Sequence, residues 1–412
     1  MSAPLDDITV IEVDNWMAAP SAAAIMADMG ANVIKVEPLS GDPMRNMSRP
    51  LKGDRREDLG DYDLQFDVDN RGKRSIAVAL DIPEGAALVQ RLVVGAQVFL
   101  CNLLPRRQLK FGLDPESLIR VNPTLVHATL TGYGTSGPDA WRPGYDVTAF
   151  FGRSGLYDSM REGSDGIVPM ARPAQGDHTT GLALLAAILA ALRQAERSGE
   201  SQVVETSLYA TAVWTQATDF AVTAVDGAPV RRRARHELLA PTANRYPCGD
   251  GHWVVFNMPE EAAWPRFCKA IDREQWLDDE RFEDARGRYR NMAVLVDGID
   301  EALSTRSRDE WGVIFDEAKL IWGPVLGLDE VTKDAQADAI GLFPELEHER
   351  VGRYRTVSAP MRFDTADVRP RGPSPALGQH TREVLEGAGF SGSEIADLVE
   401  AAAIADGTGG PP

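Results

Sequence analysis

The chain has 412 residues, a formal net charge of −19 at pH 7, 43% hydrophobic and 25% charged residues. That length exceeds what one compact core organises, so two domains are expected; the acidity argues against nucleic acid as a partner, because phosphate binding needs a basic face. No apolar run approaches the roughly 18 residues of a membrane span, and the polar, acidic start lacks a signal peptide's basic and apolar regions. Cys101, Cys248 and Cys268 are scattered without CxxC or metal-ligand spacing, so a cytoplasmic protein without disulfides or a bound metal is expected. Any anionic ligand must be met by a local cluster of Lys, Arg or backbone N–H groups.

Ile8 to Val13 alternates and is β-branched, which predicts a strand. Ala18 to Met29 predicts a helix, entered near Pro20 and closed by Gly30. Asn32 to Glu37 is the next strand, stopped by Pro38. This β-α-β unit implies a parallel sheet covered by helices. Its connecting loop, Asp14-Asn15-Trp16-Met17-Ala18-Ala19-Pro20, has no glycine, whereas a dinucleotide pyrophosphate needs close backbone approach. After a polar loop from Leu39 to Asp69, strands are expected at Ser75 to Leu80, Gln97 to Cys101 and Leu125 to Thr131. Helices starting at Asp81-Ile-Pro-Glu84 and spanning Pro115 to Val121 separate them. The glycine-rich run Gly132-Tyr-Gly-Thr-Ser-Gly-Pro138 reads either as an anion-binding nest or as a turn cluster.

A long Ala/Leu helix opens at Gly176-Asp177, followed by a short strand from Gln202 to Glu205 and a helix from Leu208 to Val225. The basic stretch Gly227 to Arg235 reads as a linker. Beyond it, a hairpin around Gly249-Asp250-Gly251 and the core anchors Trp264, Trp276 and Trp311 suggest a second, smaller α+β domain. The expected boundaries are 1–225 for the first part of the large domain, 226–330 for the small domain and 331–412 for a return segment.

No GxSxG, HExxH, Walker loop or CxxC pair is present. His127, inside a strand, reads as core, and His178 as a partly exposed neighbour of Asp177. At a helix start Asp177 meets unpaired N–H groups and the positive end of the dipole. It can be a simple cap or an oriented nucleophile, and spacing leaves both open. The dipole is expected to lower its pKa and keep it ionised. As a nucleophile it must turn away from its own helix N–H groups.

A series of short motifs then acquires meaning from its order: Pro4-Leu-Asp-Asp-Ile-Thr-Val-Ile-Glu12, Ala18-Ala-Pro20, Gly30-Ala-Asn-Val-Ile-Lys-Val-Glu37, Gly41-Asp42 with Arg45, and Asn70-Arg-Gly-Lys-Arg-Ser-Ile76. They continue through Gly132-Tyr-Gly, Arg142-Pro-Gly-Tyr-Asp146, Gly176-Asp177, Gly323-Pro-Val325 and Leu377-Gly-Gln-His-Thr381. In this order, over nearly the whole chain, they resemble the class III CoA-transferases. That group includes formyl-CoA:oxalate and carnitine CoA-transferases and, as a divergent branch, 2-methylacyl-CoA racemase.

The resemblance implies an α/β fold: a large Rossmann-like domain with a parallel sheet built from both chain ends, a smaller α+β domain, and an interlocked homodimer. It implies acyl-CoA and small carboxylic acid substrates, with no permanently bound cofactor or metal and no nucleic acid or membrane partner. Asp177 becomes the catalytic aspartate, with Asn15, Trp16, Met17, Ala18 and Tyr145 near the thioester and acyl group. Arg45, Lys73, Arg74, Arg106 and Lys110 become the CoA-binding set. Racemases carry a histidine where this chain has Tyr145, and a tyrosine, with a pKa near 10, is a poor α-proton base at neutral pH. Transfer is therefore the expected chemistry, with racemisation and non-catalytic acyl-CoA binding as the alternatives. Met17 replaces a glutamine and Pro38 an arginine of formyl-CoA transferase. Leu104 and Lys110 stand where arginines are usual, and the segment from Arg231 to Tyr246 lacks the glycine-rich flap. These departures point away from oxalate and toward a larger or less charged acyl group.

Overall fold

The computed structural model describes residues 2–47, 62–349 and 351–405. Six short runs form parallel strands: β1 (Thr9–Val13), β2 (Asn32–Glu37), β3 (Arg74–Val78), β4 (Val98–Cys101), β5 (Val126–Thr131) and β6 (Gln202–Ser207). Their order is 3-2-1-4-5-6, and the short strand Ile404–Ala405 pairs antiparallel with β3 at the edge. β4 and β5 are buried at every residue, as a sheet covered on both faces requires. This is the doubly wound, Rossmann-type arrangement.

One face is covered by α1 (Ala18–Asp28), whose residues are all buried. The other face packs Leu88, Leu92, Phe111 and Leu118 with Val384, Leu385 and Ile395 from the far end of the chain. Each such side chain contributes about 1.5–3 kcal/mol by leaving water, so the return segment is a structural part of this core. Around it lie α2 (Leu64–Asn70), α3 (Pro83–Val93), α4 (Pro105–Phe111), α5 (Pro115–Val121), α6 (Gln175–Ser198), α7 (Leu208–Thr215) and α8 (Ala217–Asp226). α2 and α4 were not anticipated. Pro105 opens α4 at a position that tolerates proline, and Asp63 caps α2 through Gln65 N at 2.8 Å. The helix expected from 208 to 225 is interrupted at Gln216.

Two compact units result: Met1–Leu156, Met170–Ala224 and Gln336–Pro412 form one, and Tyr157–Pro169 with Val225–Ala335 the other. In the smaller unit, Arg245–Pro247, Trp253–Phe256 and Trp322–Val325 form an antiparallel sheet, with Gly251 at φ +80° in the connecting turn. Its core holds Phe256, Phe267, Trp311 and Phe315, and Trp264 stacks on Trp276 with ring centroids 6.0 Å apart. Among the described residues no helix is long and apolar enough to cross a membrane, and no group of three or more His, Cys, Asp or Glu could hold a metal ion.

Candidate active site

Strand order reverses between β1 and β4, so the loops leaving their carboxyl ends diverge and open a crevice. A cleft of about 320 Å³ occupies that point, lined by Asn15 and Trp16 after β1, Asn102, Arg106 and Arg107 after β4, Gly132 after β5, Tyr145, and Asp177. Gly132 and Gly144 let two loops touch at its wall: a Cβ on Gly132 would stand 2.7 Å from Gly144 Cα.

Asp177 is the third residue of α6, and the cap position belongs to Ala174, which offers no side-chain cap. Among the described residues its carboxylate accepts no hydrogen bond from its own helix, so the simple cap role is excluded by geometry. Its pKa is pushed up to about 7, chiefly by burial and then by the charges of Asp146 and Asp69, with His178 acting the other way. This corrects the expectation that the helix start would lower it. Dipole stabilisation is typically worth 0.3–1 kcal/mol at exposed sites, less than the loss of hydration and two neighbouring acids. His178 Nε2 lies 3.0 Å from the buried Asp69 Oδ1. Burial works against an imidazolium there, but the Asp69 hydrogen bond and charge outweigh it and raise the His178 pKa.

Trp16 and Tyr145 line the same cleft as Asp177 and meet edge to face, ring centroids 5.4 Å apart and planes at 88°. Trp16 has φ +72°, a strained value for a bulky residue. Its N–H is held by Asp42 Oδ1 at 3.2 Å, while Asn102 accepts from Asn15 N at 3.3 Å and donates to Asn15 O at 2.6 Å. Beneath this loop lies a fully buried ionic cluster. Lys35 Nζ stands 3.3 Å from Glu12, 3.1 Å from Asp14 and 3.1 Å from Asp42, and Lys73 Nζ is 2.8 Å from Glu12. Burial opposes the Glu12 charge, but Lys73 and Lys35 prevail and hold its pKa at about 2. Burial and the Glu12 charge push Asp14 well up. Lys35 and Lys73 thus face Glu12, Asp14 and Asp42 in one buried cluster, and their pairing offsets the cost of taking those charges out of water.

Asp177, Asn15, Trp16, Ala18, Tyr145 and Arg106 thus converge on one cleft. Met17 stands immediately before α1 next to them and is half-buried outside the cleft lining. Lys73 is corrected: its side chain is 0% exposed, and its donors go to Glu12, Pro20 O and Asn70, leaving none for a phosphate. Arg74 faces the return segment, pairing with Glu383 at 2.9 Å. Arg45 grips Glu37 with two 2.7 Å bonds, donates to Pro375 O at 3.0 Å and covers the Phe66 ring, so it orders its loop rather than lining the cleft. Lys110 pairs with the exposed Asp81 one turn along α4 from Arg106 and Arg107.

Sequence reasoning missed Arg107, although the spacing Arg106-Arg107-Gln-Leu-Lys110 in a helix puts these cations on adjacent positions of one surface. It also missed Asn102 and the cluster acids, which become legible only when β1, β2 and β4 align.

The sequence matches CoA-transferase family III over residues 5–381. It is 30% identical over 393 residues to (R)-2-hydroxy-4-methylpentanoate CoA-transferase of Clostridioides difficile, covering 95% of this chain and 97% of that protein. It is 34% identical over 386 residues to succinate–glutarate CoA-transferase of Agrobacterium fabrum, covering 93% and 95%. A CAIB/BAIF family protein from Brucella suis superposes with a TM-score of 0.83 at 27% identity, covering 94% of this chain and 100% of that one. With the motif order, the sheet and the matched span in agreement, the chain belongs to CoA-transferase family III.

Proposed function

We propose that this class III CoA-transferase moves CoA from an acyl-CoA thioester to a carboxylic acid with Asp177 as the covalent nucleophile. The carboxylate attacks the thioester carbonyl and CoA thiolate leaves, giving an acyl-aspartyl anhydride. The thiolate attacks the aspartyl carbonyl, releases the donor acid and forms aspartyl-CoA thioester. The acceptor carboxylate displaces the thiolate through a second anhydride, and the thiolate then takes the acceptor acyl group and frees Asp177. The observation carrying this reading is an uncapped, half-buried carboxylate standing in the switch-point cleft. The uncapped N–H groups at the start of α6 are candidate donors to the developing oxyanion.

Arg106 and Arg107, with Lys110 further along α4, supply a cationic path for CoA phosphates on an otherwise acidic protein. Trp16, Tyr145, Leu104, Leu130 and Leu208 favour an apolar acyl group over oxalate. Three buried free thiols suit the reducing cytoplasm.

The test is trapping. Incubation with acetyl-, isovaleryl-, succinyl- or cinnamoyl-CoA and hydroxylamine is expected to convert Asp177 to a hydroxamate seen by peptide mass spectrometry. An adduct on another residue, or none with any thioester, overturns the reading.

The reading includes an interlocked homodimer. α8 buries none of its residues, its Val222 is 61% exposed and Trp214 on α7 is 77% exposed, apolar side chains that a second copy would cover. Light scattering in solution is expected to give twice the chain mass, and a monomer at micromolar concentration would remove the dimer.

A further inference from the structure

The mechanism above uses Asp177 but leaves unexplained what holds it in place. The segment Asp146–Arg153 forms a π-helical stretch beside the start of α6, a conformation that is rare and concentrated at functional sites. Asp146 is buried, and both carboxylate oxygens are committed. Oδ1 accepts from Val147 N at 2.6 Å and Oδ2 from Ala174 N at 2.7 Å. Ala174 is the residue ahead of α6 and sits at φ +82°, a left-handed value that an alanine holds only when its surroundings impose it. One turn further along the same stretch, Phe150 lies against Gly176, where a Cβ would come within 2.6 Å of Phe150 Cγ. Asp146 and Phe150 therefore grip the two residues on either side of Gln175, immediately before Asp177.

We propose that Asp146 is a positioning residue for the transfer reaction: by clamping Ala174 it fixes where the Asp177 carboxylate stands in the cleft. This rests on Asp177 being the nucleophile. A displacement of about 1 Å at a reacting carboxylate is enough to cost about a hundredfold in rate.

The clamp has a second consequence. After burial, Asp146 is the leading charge that holds Asp177 as the acid; Asp69 on α2 acts in the same direction and His178 on α6 against it. Arg106, Arg107 and Tyr145 line the same cleft. Removing the Asp146 charge therefore makes Asp177 easier to ionise while removing one of the two anchors. A residue with a purely structural role would slow the reaction without moving its pH dependence.

The experiment measures the rate of hydroxylamine trapping at Asp177 against pH, with whichever of the four thioesters reacts fastest with the parent protein. Asp146→Asn is expected to lower the saturated rate about 10- to 100-fold. The half-saturating thioester concentration should stay within about threefold, because Asp146 has no proposed contact with CoA, and the acid limb should move to lower pH, because a charge that raises the Asp177 pKa is gone. Asp146→Glu keeps the charge on a longer arm, so the rate should fall while the limb stays. A rate within about twofold of the parent in both variants, or an unmoved limb in Asp146→Asn, overturns the proposal. Should Asp146→Asn not fold, the Glu variant decides by its rate alone. Absence of any Asp177 adduct in the parent would instead remove the nucleophile assignment itself.

Discussion

Asp177→Asn is expected to lose transfer activity by at least about a thousandfold while becoming more stable than the parent near pH 8. The first effect follows from the missing nucleophile, and Asp177→Ala should match it. The second follows from the pKa of about 7. Between the ordinary aspartate value and about 7, the folded protein holds a proton that the unfolded chain has lost. Stability therefore falls as pH rises through that window, and the parent bears the full penalty above it. Three pK units at 1.36 kcal/mol each give an upper bound of about 4 kcal/mol, and relaxation reduces this to about 2–4 kcal/mol. Chemical denaturation at two pH values checks it: the difference between variant and parent should be largest near pH 8 and shrink toward pH 4.5. A variant no more stable than the parent at pH 8 would show that Asp177 is not an uncompensated carboxylate. The same value predicts that parent activity rises through about pH 7 and then levels, since only the ionised form attacks.

Lys35→Met is the most damaging substitution expected away from Asp177. Lys35 is fully buried and contacts Glu12, Asp14 and Asp42, and burial would lower its pKa but those acids raise it well above normal. Its removal leaves a buried cluster with excess negative charge, a loss of about 3–5 kcal/mol for a broken buried pair. Because Asp42 also holds Trp16 in its left-handed conformation, thioester turnover should fall with stability. The double variant Lys35→Met with Asp42→Asn should recover part of the stability, since it removes the stranded charge, but not the turnover. A loss under about 1 kcal/mol for Lys35→Met, read from urea midpoints, would mean that the cluster is hydrated and not a charge-balanced core.

Much of the architecture was legible along the chain because its signals are local. Short apolar or β-branched runs marked β1 to β5, and Gly30 and Pro38 punctuated the first β-α-β unit. The Gly176-Asp177 step into an Ala/Leu helix marked where a carboxylate meets a helix start. Side-chain destinations were less legible. Lys73 looks like a phosphate ligand in Asn70-Arg-Gly-Lys-Arg74, but β3 pairs with β2 and the lysine turns inward to Glu12, sixty-one positions earlier.

The sequence by itself determined an acidic α/β protein, the family motifs in order, and the position of Asp177 at a helix start, because each depends on residue type and short-range spacing. Only the tertiary structure decided where the Asp177 carboxylate stands and which way its pKa moves. Asp69, Asp146 and Asp177 are far apart in the chain, and their charges act on one another only once α2, the π-helical stretch and α6 fold together around the cleft. Electrostatic energy depends on distance and burial, and neither is written in the order of residues.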